Sequence, residues 1–204
     1  MVDETEIPEP VHEQYEQAEH ADTRFRRFAA IYVGVVAMLL AISSLGGSHA
    51  TKVMLNANIR ASDTYAFAQA KYLRQTAYEL AADQLDMQLI DLPSLSDDAK
   101  GKIAESIKRY RGTAARYASD PASGEGRQEL LAKAKEWEAA REEAAARDPN
   151  FEFAAALFQI AVVLGSVAIV AASRALLGLS TVLAVVATVL MVNGYFLIVP
   201  LPIG

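Results

Sequence analysis

Residues 153–173 read FAAALFQIAVVLGSVAIVAAS, and residues 179–199 read LSTVLAVVATVLMVNGYFLIV. Neither stretch holds a charge, and the link 174–178 between them carries only Arg174. A helix of about 20 predominantly apolar residues crosses roughly 30 Å of hydrocarbon. Both stretches meet that length. They are too long and too uniform to be core helices of a soluble domain in a chain of 204 residues. Pro200 and Pro202 follow the second stretch, where a helix ladder cannot continue. The reading is two membrane-crossing helices at 151–173 and 179–199, with 200–204 as a short tail.

A third candidate lies far upstream. Residues 28–45 read FAAIYVGVVAMLLAISSL, also uncharged, and Gly46 and Gly47 extend the run to 28–47. The basic flank Arg24-Phe25-Arg26-Arg27 and the small residues around Ser48-His49-Ala50 give it the outline of a cleaved signal peptide. The tail 1–27 is too long for an ordinary signal n-region, and the apolar run exceeds a signal core. An uncleaved first span is therefore expected. The fold class is all-α: an integral membrane protein with three transmembrane helices and a helical extramembrane insert, 48–150, between the first and second.

The chain is 52% hydrophobic with a net charge of −6. The acidic excess sits in the tail, with eight acids against three arginines in 1–27. Residues 46–150 balance sixteen acids with fifteen bases. No face is basic enough for nucleic acid. The chain has no cysteine, which excludes disulfides, thiolate metal sites and cysteine nucleophiles. Orientation rests on Lys and Arg near the span ends. Arg24, Arg26, Arg27 and Arg174 lie on one side, and Lys52, Arg60, Arg141 and Arg147 on the other. Three arginines abut the first span, which usually dominates, so the N-terminus is expected in the cytoplasm and the insert outside it.

Within the insert, 51–90 has neither proline nor glycine. Met54, Ala57, Ala61, Tyr65, Ala68 and Tyr72 form one stripe at helical spacing, and Phe67, Ala70, Ala77, Ala81, Leu85 and Leu89 a second. The run continues the first span, with Gly46-Gly47 as the expected kink. Asp91-Leu-Pro-Ser-Leu-Ser breaks it. Ser96 then reads as an N-cap before Asp97 and Asp98, opening a helix with Ile103, Ile107, Tyr110, Ala114 and Tyr117 on one face. Residues 119–126, SDPASGEG, read as a loop. A third helix, 129–147, places Leu130, Ala134, Trp137, Arg141 and Ala144 together, and Asp148-Pro149 is expected to restart the chain into the second span. The aromatics Tyr65, Phe67, Tyr72 and Tyr78 have two readings: packing inside the insert, or a partner surface.

In the tail, His12, Glu16 and His20 share a helix face at a spacing that suits a weak metal site, although three ligands over two turns converge poorly. None of the hydrolase, zinc-protease, P-loop or dinucleotide motifs is present. Polar residues within the uncharged runs include Ser43, Ser44, Gln159, Ser166, Thr181, Thr188 and Asn193, none of these ionisable, which argues against active transport by this chain alone. Ala161, Gly165, Ala168 and Ala172 form a small-residue face in the second span.

The strings at 12–22, 43–50 and 58–71, the last containing Ala61-Ser62-Asp63, Tyr65 and Gln69-Ala70-Lys71, together with Phe158-Gln159-Ile160, resemble a bacterial membrane family, the domain of unknown function numbered 4337. The resemblance implies one N-terminal and two C-terminal spans around a helical insert, in the bacterial cytoplasmic (inner) membrane. It implies no mechanism. The expectation is a non-enzymatic, cofactor-free membrane scaffold or accessory protein that contacts lipid, forms a homo-oligomer, and accompanies another envelope protein. The candidate self-contact or partner residues are Ser62, Asp63, Tyr65, Gln69, Lys71, Tyr72 and Gly165. The alternative is a subunit of an oligomeric conduit, with Gln159 and Asn193 supplying its polar lining.

Overall fold

The computed structural model describes the backbone of residues 9–91 and 95–199, and the side chains of 22–91 and 95–199. Among them are four helices and no strand: α1 Glu9–Asp91, α2 Asp97–Ala118, α3 Arg127–Val170 and α4 Arg174–Phe196. The stretches Asp22–Asp91, Arg127–Val170 and Arg174–Phe196 are each long and apolar enough to cross a membrane. The side chains of His12, Glu16 and His20 lie outside the described residues.

Helix ends follow local chemistry. Ser96 caps α2 by accepting from the Ala99 amide at 3.3 Å, with Asp97 and Asp98 in the first turn and Arg116 in the last, each favourable to the helix dipole. Ser173 caps α4 through the Leu176 amide.

The break expected at Asp148-Pro149 does not occur: α3 runs through Pro149. Helix α1 continues through Gly46 and Gly47. A proline inside a helix removes one ladder donor and crowds the preceding turn, at a cost of about 3 kcal/mol. Here Asn150 follows it, fully buried, and its side-chain amide donates back to the Ala146 carbonyl at 3.2 Å. Its carbonyl oxygen accepts from Asn193 of α4 at 2.7 Å. Neither bond reaches the Ala145 carbonyl, which loses its donor at Pro149; both brace the residue next to the proline, and the helix continues.

The chain forms two compact units, Met1–Lys52 with Ala144–Gly204, and Val53–Glu143. In the first, α1 turns Ala29, Val36, Ser43 and Ala50 inward at seven-residue spacing. Helix α3 contributes Ala154, Phe158, Ala161 and Ala168, and α4 Leu177, Ala184, Ala187 and Met191. Many large aliphatic side chains, Ile31, Val35, Met38, Val163, Val182 and Val185 among them, point outward. Small residues inside let the helix backbones approach closely. Hydroxyls join them. Ser180 is fully buried and donates to the Ala161 carbonyl at 2.6 Å. Its single proton is thereby used, so Tyr32, 3.0 Å away, is the donor to Ser180. Ser43 donates to the Phe151 carbonyl at 3.2 Å. Gly165, a candidate self-contact residue, is buried in this packing, where an added Cβ would meet Val33 at 2.7 Å. Its face is taken up within the chain.

The second unit is an antiparallel helix pair. The outgoing arm is α1 from Val53, and the return arm is α2 followed by the start of α3. Tyr78 stacks on Tyr117 and packs at a tilt against Tyr110, both of α2, and Arg111 pairs with Asp83 and Asp86. Nearer the start of the unit, Tyr72 lies under Arg127, Tyr65 bonds Glu138, and Arg60 lies over Trp137. As the number rises along α1 it falls along its partners. The faces expected on α2 and α3 are the ones that turn inward: Ile107, Ala114, Leu130 and Ala134 are buried. The first α1 stripe also packs inward, through Ala57, Ala61 and Ala68. The second does not hold together. Phe67, Ala70 and Ala77 are exposed, because the true seam steps by seven through Ala61, Ala68, Gln75 and Ala82.

Candidate interaction surface

The residues singled out from sequence divide along this seam. Tyr65 and Lys71 are half-buried in it. The Tyr65 hydroxyl donates to the Glu138 carboxylate at 2.9 Å. That bond, with some burial and the charge of Glu138, raises the phenol above its ordinary value. Lys71 reaches Glu125 at 3.5 Å and lies over the Tyr117 ring at 5.7 Å. These two hold the pair together. Ser62, Asp63 and Gln69 are exposed, and Tyr72 is half exposed with Arg127 5.4 Å from its ring centre. Tyr65, Gln69 and Tyr72, with Ala68, Arg127 and Leu131, line one shallow cleft of about 390 Å³. The aromatics therefore separate: Tyr65 and Tyr78 pack inside, Phe67 faces out, and Tyr72 sits half exposed at the edge of the seam.

A larger surface was missed. On the side of α1 opposite the seam, Ile59, Ala66, Leu73, Leu80 and Met87 are all exposed and recur every seven residues. Ala70 and Ala77 lie beside them, also exposed. The signal was in the strict seven-residue step, which the mixed second stripe crosses instead of following.

The loop Ser119–Gly126 between α2 and α3 is tied by Glu129. Its carboxylate accepts from the Ser119 hydroxyl at 2.6 Å and the Asp120 amide at 3.2 Å. The hydroxyl bond, then its backbone bonds, hold the Glu129 carboxyl below its ordinary value. Among the described residues, no group of three or more His, Asp or Glu side chains is placed to hold a metal ion. Gln159 is exposed on α3, and both amide hydrogens of Asn193 are engaged, by Asn150 and by the Val199 carbonyl.

No curated protein and no solved structure matches the chain. A family profile does match, over residues 25–197, which takes in both compact units and leaves out the tail string 12–22. On that match the chain belongs to the family described as a domain of unknown function, DUF4337.

Proposed function

We propose that this chain is a non-enzymatic scaffold of a bacterial cytoplasmic membrane, anchored by three spans and self-associating through its helical insert. The observation that carries the reading is the arrangement of the first unit. Its helices pack through alanine, glycine and hydroxyl contacts while large aliphatic side chains cover the outside. That pattern suits lipid surroundings, where burial of large apolar groups between helices is not the driving force. Arg174 supports the placement. It is the first residue of α4, where the dipole disfavours a cation by about 0.3–1 kcal/mol, and a lipid phosphate beside it would offset that cost. Arg24, Arg26 and Arg27 are exposed ahead of the first span, which favours a cytoplasmic N-terminus and an external insert. The ionic groups of the insert serve helix pairing: Arg111 with Asp83 and Asp86, Lys71 with Glu125, Glu129 with the loop.

Two measurements test this. Single cysteines at Thr5 and Ser123, in a chain with no other cysteine, would be probed on permeabilised outer membranes with an impermeant thiol reagent. Labelling at 123 and protection at 5 are expected, and the reverse overturns the orientation. Native mass spectrometry in mild detergent should give a homo-oligomer. A strictly monomeric chain overturns the scaffold reading.

A further inference from the structure

The outer stripe of α1 points to an occupant. We infer that, within the Val53–Glu143 unit, the line Ile59, Ala66, Leu73, Leu80 and Met87 is the seat of a second copy of this chain. The inference rests on the self-association proposed above and gives it a surface. In a solvated helix pair the positions opposite the seam are normally polar or charged. Here Leu73 is 62% exposed, Leu80 58% and Met87 62%, at strict seven-residue spacing.

Three features select a second copy over another partner. The stripe alternates large side chains, Leu73 and Leu80, with the alanines Ala70 and Ala77 in the interleaved position. One line of residues thus offers both knobs and holes, as a two-fold contact between identical surfaces requires. Secondly, the central line from Ala66 to Leu80 carries no charge, with Arg74 standing at its flank, and the polar residues Asp63 and Gln84 lie where it passes into its outer turns at Ile59 and Met87. Its partner must be equally uncharged along the same length, which the stripe itself is. Thirdly, the area suffices. Each large side chain on the stripe leaves about 100 Å² in water. With the alanines and the flanking residues Phe67, Gln69 and Thr76, the stripe approaches roughly 800 Å², the usual share of one partner in a stable interface.

The test uses the full-length protein in mild detergent. Leu73→Cys and Leu80→Cys, each made singly in the cysteine-free chain, should cross-link to a dimer with a short bifunctional thiol reagent. Ser123→Cys, exposed on the loop, should not. Leu73→Glu with Leu80→Glu should leave helical circular dichroism unchanged, since both side chains are exposed in the single chain. It should weaken dimerisation at least about a hundredfold, because four carboxylates would be buried without partners. An oligomer that survives the double change and gives no cross-link at 73 or 80 overturns this surface while leaving self-association standing. A monomeric wild-type chain overturns both. A cross-linked product whose mass is not a multiple of 22.0 kDa gives the stripe to a different protein and overturns the second-copy assignment.

Discussion

Gly46→Ala is a one-methyl change that should expose how the first unit is locked. A Cβ at Gly46 would lie 2.5 Å from Cε1, 2.8 Å from Cδ1 and 2.9 Å from Cζ of the Phe151 ring. The ring has little room to retreat. A Cβ at Gly194 of α4 would itself be 2.9–3.1 Å from the ring, and Tyr195 meets it edge-on with centroids 4.9 Å apart. Forcing a group into such a space costs about 1–3 kcal/mol, and the closeness here points to the upper end. Alanine recovers about 1 kcal/mol of helix propensity over glycine. The net expectation is a loss of about 2 kcal/mol. The cycle partner is Phe151→Ala, which alone should cost about 3–5 kcal/mol by leaving a cavity. In that background the clash is gone, and Gly46→Ala should stabilise by about 1 kcal/mol. The coupling between the two sites is then about 3 kcal/mol. Sodium dodecyl sulfate titration from mild-detergent micelles, followed by far-ultraviolet circular dichroism, measures each corner. If Gly46→Ala is neutral or stabilising with Phe151 present, the packing argument fails.

Three further outcomes are expected. Glu129 has a lowered carboxyl because the Ser119 hydroxyl and backbone amides favour its charged form in the fold. Its contribution is therefore full above the ordinary carboxylate value, about 4.3, and is lost as the pH falls through the lowered one. The thermal midpoint of Glu129→Gln should lie below wild type at neutral pH, and the gap should close in acid; a gap that persists there contradicts the assignment. Ser180→Ala should cost about 1 kcal/mol by removing the acceptor of Tyr32, and a Tyr32→Phe change on top should add little. The same detergent titration reads both, and full additivity would count against the Tyr32–Ser180 bond. Ala172→Gly should stabilise by about 1 kcal/mol, because Ala172 has φ of 49° in the turn before α4 and glycine bears that conformation without strain. A loss of stability would contradict it.

Much of the fold is legible in the sequence because it is written as local composition and spacing. The apolar run at 28–45 falls within a stretch long and apolar enough to cross a membrane, and the runs at 153–173 and 179–199 overlap two more, whose helices end at Val170 and Phe196. The faces of α2 and α3 follow from apolar residues three and four apart, and the Ser96 cap from its own side chain. What was not legible depends on partners distant in the chain. Proline at 149 reads as a break because the bracing beside it joins Asn150 to Asn193, 43 residues later. The need for glycine at 46 is not written locally, because the residue that requires it small, Phe151, lies on another helix. Alanine hides the seam on α1. It is apolar enough to join any stripe, so Ala57, Ala61 and Ala68 inside look the same in sequence as Ala66, Ala70 and Ala77 outside. Only the interhelical contacts separate the two sets.

The break between α2 and α3 has a physical reason of its own. A straight helix drifts about 20° per heptad against a seven-residue repeat. The α1 seam keeps that repeat from Met54 to Leu89 without an exposed position, a drift of about 100°. One straight partner would leave the seam before its end. Two shorter helices, α2 and α3, each follow it over part of its length, with Ser119–Gly126 as the joint. The joint depends on glycine. Gly124 has φ of 69°, and a Cβ at Gly126 would collide with the Ser119 Cα and the Asp120 amide as well as the Glu129 carboxylate. The carboxylate can swing aside, but the two backbone atoms cannot. Gly126→Ala should therefore cost about 2–3 kcal/mol, of the order seen for overpacked sites. The change should lower the thermal midpoint of the insert, and release of the Ser119–Glu129 clasp should remove the acid sensitivity assigned to Glu129. A variant that melts with wild type and keeps the same pH profile would show that the joint tolerates a side chain there.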